Sequence, residues 1–98
     1  MFRSPAISLR VGEPNVRLDA LLDEVGVETA ACIRAGRESV RRDLAEALEE
    51  QGYVGMGEGS VLVVGMGTHK AKELGRRLRQ RAVIFHRKGE RTELVFVG

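Results

Sequence analysis

Apolar residues along this chain fall into two periods. Leu18, Leu21, Leu22 and Val25 recur at i, i+3, i+4 and i+7, one stripe of a helix that Gly26 ends and Asn15 can cap. Val40, Leu44, Ala47 and Leu48 predict a second helix over residues 37–51, stopped at Gly52. Ala71, Leu74 and Leu78 give a third helix a narrow apolar face, with Thr68 placed to cap it.

Between these helices lie strand patterns. Ile7, Leu9 and Val11 alternate with Ser8 and Arg10, and predict a strand over 6–11. Thr29-Ala30-Ala31-Cys32-Ile33 reads as a strand buried on both faces. Tyr53 to Met56 gives a short strand, and Val61-Leu62-Val63-Val64 a central one. Residues 82–87 and 92–97 are two strands joined by the glycine-containing loop Arg87-Lys88-Gly89-Glu90-Arg91. The order β-α-β-α-β-β-α-β-β predicts a single α/β domain: a two-layer sandwich with a mixed β-sheet, three helices and a C-terminal β-hairpin. The expected core contains Leu9, Leu21, Leu22, Ile33, Leu44, Leu48, Leu62, Val64, Leu74, Leu78, Ile84 and Phe96.

The strand Val61-Leu62-Val63-Val64-Gly65, followed by Ala71, Leu74-Gly75-Arg76-Arg77 and Gln80-Arg81-Ala82-Val83-Ile84, resembles a bacterial family known as domain of unknown function 3293. Leu9-Arg10-Val11-Gly12 and Leu18-Asp19-Ala20-Leu21-Leu22 are similar too, as in a short, divergent member. The chain departs from that family at Arg34-Ala35-Gly36, where members tend to carry a polar Thr-Ala-x-Asn-Pro turn, and at Gln80-Arg81-Ala82, where they carry Gln-Asn-Ala. The resemblance implies a fold and no activity.

Composition narrows the picture. With 98 residues, 43% hydrophobic and 31% charged, the chain is one folded domain rather than a disordered one. Cys32 is the single cysteine, so neither an intrachain disulfide nor a cysteine-based metal site is expected. Met1-Phe2-Arg3-Ser4-Pro5 has no apolar signal-peptide region, and no apolar run approaches the roughly 20 residues of a membrane span. A cytoplasmic protein with no membrane contact is the expectation.

Charge is unevenly placed. Residues 1–67 carry 7 basic and 11 acidic side chains, net −4, and residues 68–98 carry 9 and 3, net +6, which together make the +2 of the chain. His69, Lys72, Arg76 and Arg79 fall at i, i+3, i+7 and i+10 on the third helix, and Arg81 follows. Such a stripe can follow a phosphate backbone. No aromatic interleaves it in sequence, so base stacking there is not expected. Arg87, Lys88 and Arg91 add charge nearby, and a pair Glu73–Arg77 is expected at i, i+4.

The second helix runs against its own dipole, with Arg37, Arg41 and Arg42 early and Glu46, Glu49 and Glu50 late. Its acidic end is therefore expected to meet a basic surface, either the third helix near Arg76 or a partner.

Gly65-Met66-Gly67, between a strand and a helix, could admit a phosphate, with Thr68 and Lys70 as donors. Lys70 stands where a dinucleotide fingerprint needs glycine, so a tight turn competes with that reading. Cys32 reads as an apolar core thiol, and Asp19, Asp23 and Glu24 as the wet side of the first helix.

No catalytic set, metal site or cofactor is expected, and an enzyme is the lesser reading. Three function classes follow. The first is a binding module whose basic C-terminal face meets nucleic acid or an acidic protein. The second is a phosphate or small-ligand binder at Gly65 to Lys70. The third is a homo-oligomer subunit.

Overall fold

The computed structural model describes residues 9–57 and 59–97. It holds three helices, α1 (Val16–Val25), α2 (Glu38–Gln51) and α3 (Thr68–Arg77). Five strands, β1 (Thr29–Ala35), β2 (Gly55–Met56), β3 (Gly59–Val64), β4 (Ala82–Arg87) and β5 (Glu93–Phe96), form one sheet in the order β2-β3-β1-β4-β5. The α/β fold and the C-terminal strand pair are as the sequence predicts.

Every pairing in the sheet is antiparallel. The strand–helix alternation suggested parallel neighbours, and the strand order shows why there are none. The connection β1-α2-β2 joins strands of one direction, but β3 lies between them. The connection β3-α3-β4 does the same around β1. These two interlocked crossovers over β1 to β4 are the split β-α-β arrangement of ferredoxin-like topology. To it the chain adds α1 before β1 and β5 at the edge beyond β4.

Strand parity divides the core. Ala31, Ile33, Val63, Val83 and Phe85 point to the face covered by α2 and α3, where they meet Leu44, Ala47, Leu48, Ala71 and Leu74. The opposite face is covered at one end only, by Leu18 and Leu22 of α1 against Ala30 and Leu62. Helix α1 thus adds a partial third layer to the expected two. It is capped by Asn15, whose side chain accepts from the Leu18 amide at 3.0 Å.

Gly75 sets the spacing of α3. A Cβ built there would lie 2.8 Å from a methyl of Val97 and 3.0 Å from one of Val83, so the helix seats on β4 only because it is absent.

Three expectations are corrected. Of the strand predicted over 6–11, residues 6–8 lie outside the described ones, and Leu9 to Val11 belong to no strand. Residues 10–13 instead turn back, with the Glu13 amide on the Arg10 carbonyl. Thr68 is the first residue of α3 rather than its cap. Gly67 holds the cap position, with no side-chain bond. Phe96, expected in the core, is 71% exposed. The β4–β5 register turns Val95 and Val97 toward α3, and leaves Phe96 and Leu94 on the face that α1 does not reach.

Candidate functional site

The uncovered end of the sheet is the most unusual surface of the molecule. Cys32 of β1, Ile84 of β4 and Leu94 of β5 stand in a row across it. With Arg34, Ser60, Gln80, Arg81 and Ala82 they line a shallow depression of about 430 Å³. A second depression of about 470 Å³ adjoins it and is lined by Arg76, Arg79, Gln80, Arg81, Phe96 and Val97. Gln80 and Arg81 belong to both. No described carboxylate lines either.

The arginines are positioned by distinct devices. Arg76, in the last turn of α3, donates from Nη2 to the Val97 carbonyl at 3.2 Å, which ties the helix end to β5. Arg79 follows the helix in a left-handed conformation, φ 58°, unusual outside glycine. The Gln80 amide closes back on the Gly75 carbonyl at 2.8 Å, the bond that ends such a turn. Gln80 then donates from Nε2 to the Arg34 carbonyl at 3.1 Å, which holds the end of β1 beside the turn. Arg34, Arg79 and Arg81 are exposed and make no ion pair among the described residues.

Other cations are drawn away. Glu73 takes both His69, at 3.1 Å, and Lys70, at 3.6 Å. Arg77, expected to pair with Glu73, reaches instead to Glu50 of α2 at 3.2 Å. The acidic end of α2 therefore does face α3, but at Arg77 rather than Arg76. Arg87 meets Glu90, and Arg91 donates to the Gly12 carbonyl. Lys88 lies between Asp23 and Glu28, at 3.3 and 3.5 Å. Its hydrogen bond to Asp23, then the Glu28 charge, hold its ammonium above the usual lysine range. Of the predicted stripe, Arg76, Arg79 and Arg81 come together at the open sheet end. His69 lies at the other end of α3, and Lys72 is half-buried between.

The Gly65–Lys70 turn is largely engaged. Gly65, at φ 83°, donates its amide to the Thr29 carbonyl at 2.6 Å, and the Gly67 carbonyl accepts from Ala71. Lys70 is turned to Glu73. Cys32 is half-buried on the open face, and burial pushes its thiol above the usual range.

Sequence reasoning missed one polar group altogether. His86, 1% exposed, lies 2.6 Å from Asp19 Oδ1 through Nε2 and 2.9 Å from Thr92 Oγ1 through Nδ1. Asp19 also accepts from the Gly89 amide at 3.2 Å. An imidazole carrying its proton on Nε2 donates to the carboxylate and accepts from the hydroxyl. The order acid–imidazole–hydroxyl is that of a nucleophilic relay, but the Thr92 hydroxyl is buried with its residue at 1% exposure. The group pins the β4–β5 hairpin to α1.

No family model, characterised protein or solved structure matches this chain. Its function is read from geometry.

Proposed function

We propose that this chain is a non-catalytic binding module that holds single-stranded nucleic acid at the open end of its sheet. One observation carries the reading: an aromatic ring, Phe96, stands exposed in a depression shared with Arg76, Arg79 and Arg81. Guanidinium groups without carboxylate partners attract phosphates, and an exposed ring offers a platform on which a base of any sequence stacks. Ile84 and Leu94 continue the apolar strip beside it, with Arg34 across.

The conformation of Arg79 supports the same reading. A left-handed backbone costs a side-chain-bearing residue about 1–2 kcal/mol, and glycine is the usual occupant. Strain of this kind concentrates where a side chain serves binding. An acidic protein surface would use the arginines but offers Phe96 no base to stack on. Kinship with the domain of unknown function 3293 family is proposed on sequence motifs alone and adds no activity to this picture.

The test is binding of fluorescent single- and double-stranded DNA and RNA across a salt series. Single strands should bind, with affinity falling log-linearly in salt. Arg79→Glu/Arg81→Glu should flatten that slope by roughly 1.4. Phe96→Ala should weaken binding roughly 5- to 150-fold, the value of one stacked base. Arg76 is left in place because it anchors Val97. Absence of binding at low salt, or an unchanged affinity in Phe96→Ala, overturns the proposal. Preference for an acidic polypeptide over nucleic acid would do the same.

A further inference from the structure

We propose that a second copy of this chain pairs along β5, in one defined antiparallel register, to continue the sheet across a two-fold axis.

The backbone decides which groups are free. The Val97 amide donates to the Arg81 carbonyl, and β5 pairs with β4 through Val83 opposite Val95. Antiparallel pairing alternates inward and outward groups. Residues 93, 95 and 97 therefore turn theirs toward β4, and Leu94 and Phe96 turn theirs to the edge. Thr92 also faces outward, but its amide and carbonyl are taken by Glu13 and Gly12. Among the described residues, the unpaired edge is thus Leu94 and Phe96.

Among the described residues, a single two-fold register joins Leu94 to Phe96, and it does not use Thr92. It sets Leu94 of one copy against Phe96 of the second, each pair exchanging N–H···O bonds, with Val95 on the axis. Leu94, 45% exposed, and Phe96, 71% exposed, then become cross-strand apolar neighbours on the open face. Natural edge strands usually carry charges or bulges that discourage pairing, and here two large apolar side chains stand instead.

The same register sets Glu93 opposite Val97 of the second copy. That residue's carbonyl holds Arg76. Glu93 is exposed and has no ion pair among the described residues, so each copy brings one acid to one arginine of the other. A shift one way places Leu94 against itself and requires the occupied Thr92 edge, a shift the other way places Phe96 against itself, and neither sets Glu93 opposite Val97. The inference rests on the strand edge and does not depend on nucleic-acid binding.

Sedimentation across a concentration series, with no nucleic acid present, tests the pairing. The wild-type mass should double as concentration rises. Glu93→Arg should remain at one-chain mass, and Glu93→Asp, which keeps the charge, should double like wild type. Amide hydrogen exchange gives a readout that needs no variant: the Leu94 and Phe96 amides should gain protection with concentration. A wild-type mass that stays at one chain overturns the proposal. So does a Glu93→Arg chain that doubles like wild type, or doubling without protection at Leu94 and Phe96.

Discussion

His86 Nε2 lies 2.6 Å from the Asp19 carboxylate, across 67 residues of sequence, and the two join α1 to the hairpin of β4 and β5. The ring is buried at 1% exposure, so its polar atoms have no water to turn to. Removing Asp19 leaves the Nε2–H without an acceptor, and removing the Thr92 hydroxyl leaves Nδ1 without a donor, each at about 1–3 kcal/mol. Asp19→Ala and Thr92→Val are each expected to lower the unfolding free energy by that amount, read as a lower urea midpoint with an unchanged slope. Midpoints equal to wild type would mean the ring finds other partners.

Glu50 and Arg77 bridge α2 and α3 at 3.2 Å, both largely exposed. An exposed pair of this kind contributes about 0.2–1 kcal/mol. A double-mutant cycle on Glu50 and Arg77 should return a coupling in that range, weakened by salt. The same cycle on Glu50 and Arg76 should return none, because Arg76 is turned to Val97.

Arg79 sets stability against binding. Arg79→Gly relieves its left-handed backbone and should raise stability by about 1 kcal/mol. It should also weaken nucleic-acid binding, through one lost phosphate contact. Chemical unfolding and a salt titration of the same variant should therefore move in opposite directions.

Gly75 invites a misleading substitution. Alanine is better than glycine in a helix by about 1 kcal/mol. Here the added methyl would meet Val97 at 2.8 Å and Val83 at 3.0 Å, both short, branched side chains with little room to yield. Gly75→Ala is expected to destabilise by about 1–3 kcal/mol, as overpacking does. A rise in thermal midpoint would show that α3 lifts off the sheet at no cost.

Cys32 is raised by burial, so the folded chain holds its thiol proton to higher pH than the unfolded chain does. The unfolded state therefore releases that proton first, and stability falls as pH rises through the usual thiol range toward the folded value. Cys32→Ser should flatten the fall. Alkylation of Cys32 in the folded chain should be slower at neutral pH than in urea, since the thiolate is the reactive form.

The parts legible in sequence are those where one local period decides. Helix α2 runs over Glu38–Gln51 because Val40, Leu44, Ala47 and Leu48 fit the helical repeat and no strand repeat. Strand β4 spans 82–87 as its pattern predicts. Arg76, Arg79 and Arg81 were visible as a basic stretch from charge alone. Local spacing could not reveal the Asp19–His86–Thr92 group, because its members are brought together by the packing of α1 and the hairpin.

The phase of β5 shows the limit most clearly. Leu94, Val95, Phe96 and Val97 are all apolar, so alternation cannot say which two face the core. Pairing with β4 decides it: Val95 opposite Val83 turns one set toward α3, and the other toward a face that α1 covers only at its far end. The sequence by itself determined the three helices, the strands from Thr29 onward and the gathering of positive charge, since each follows from short-range spacing. Tertiary structure alone decided that Phe96 stands outside among the arginines, because the direction of a strand's side chains depends on the register of its neighbour.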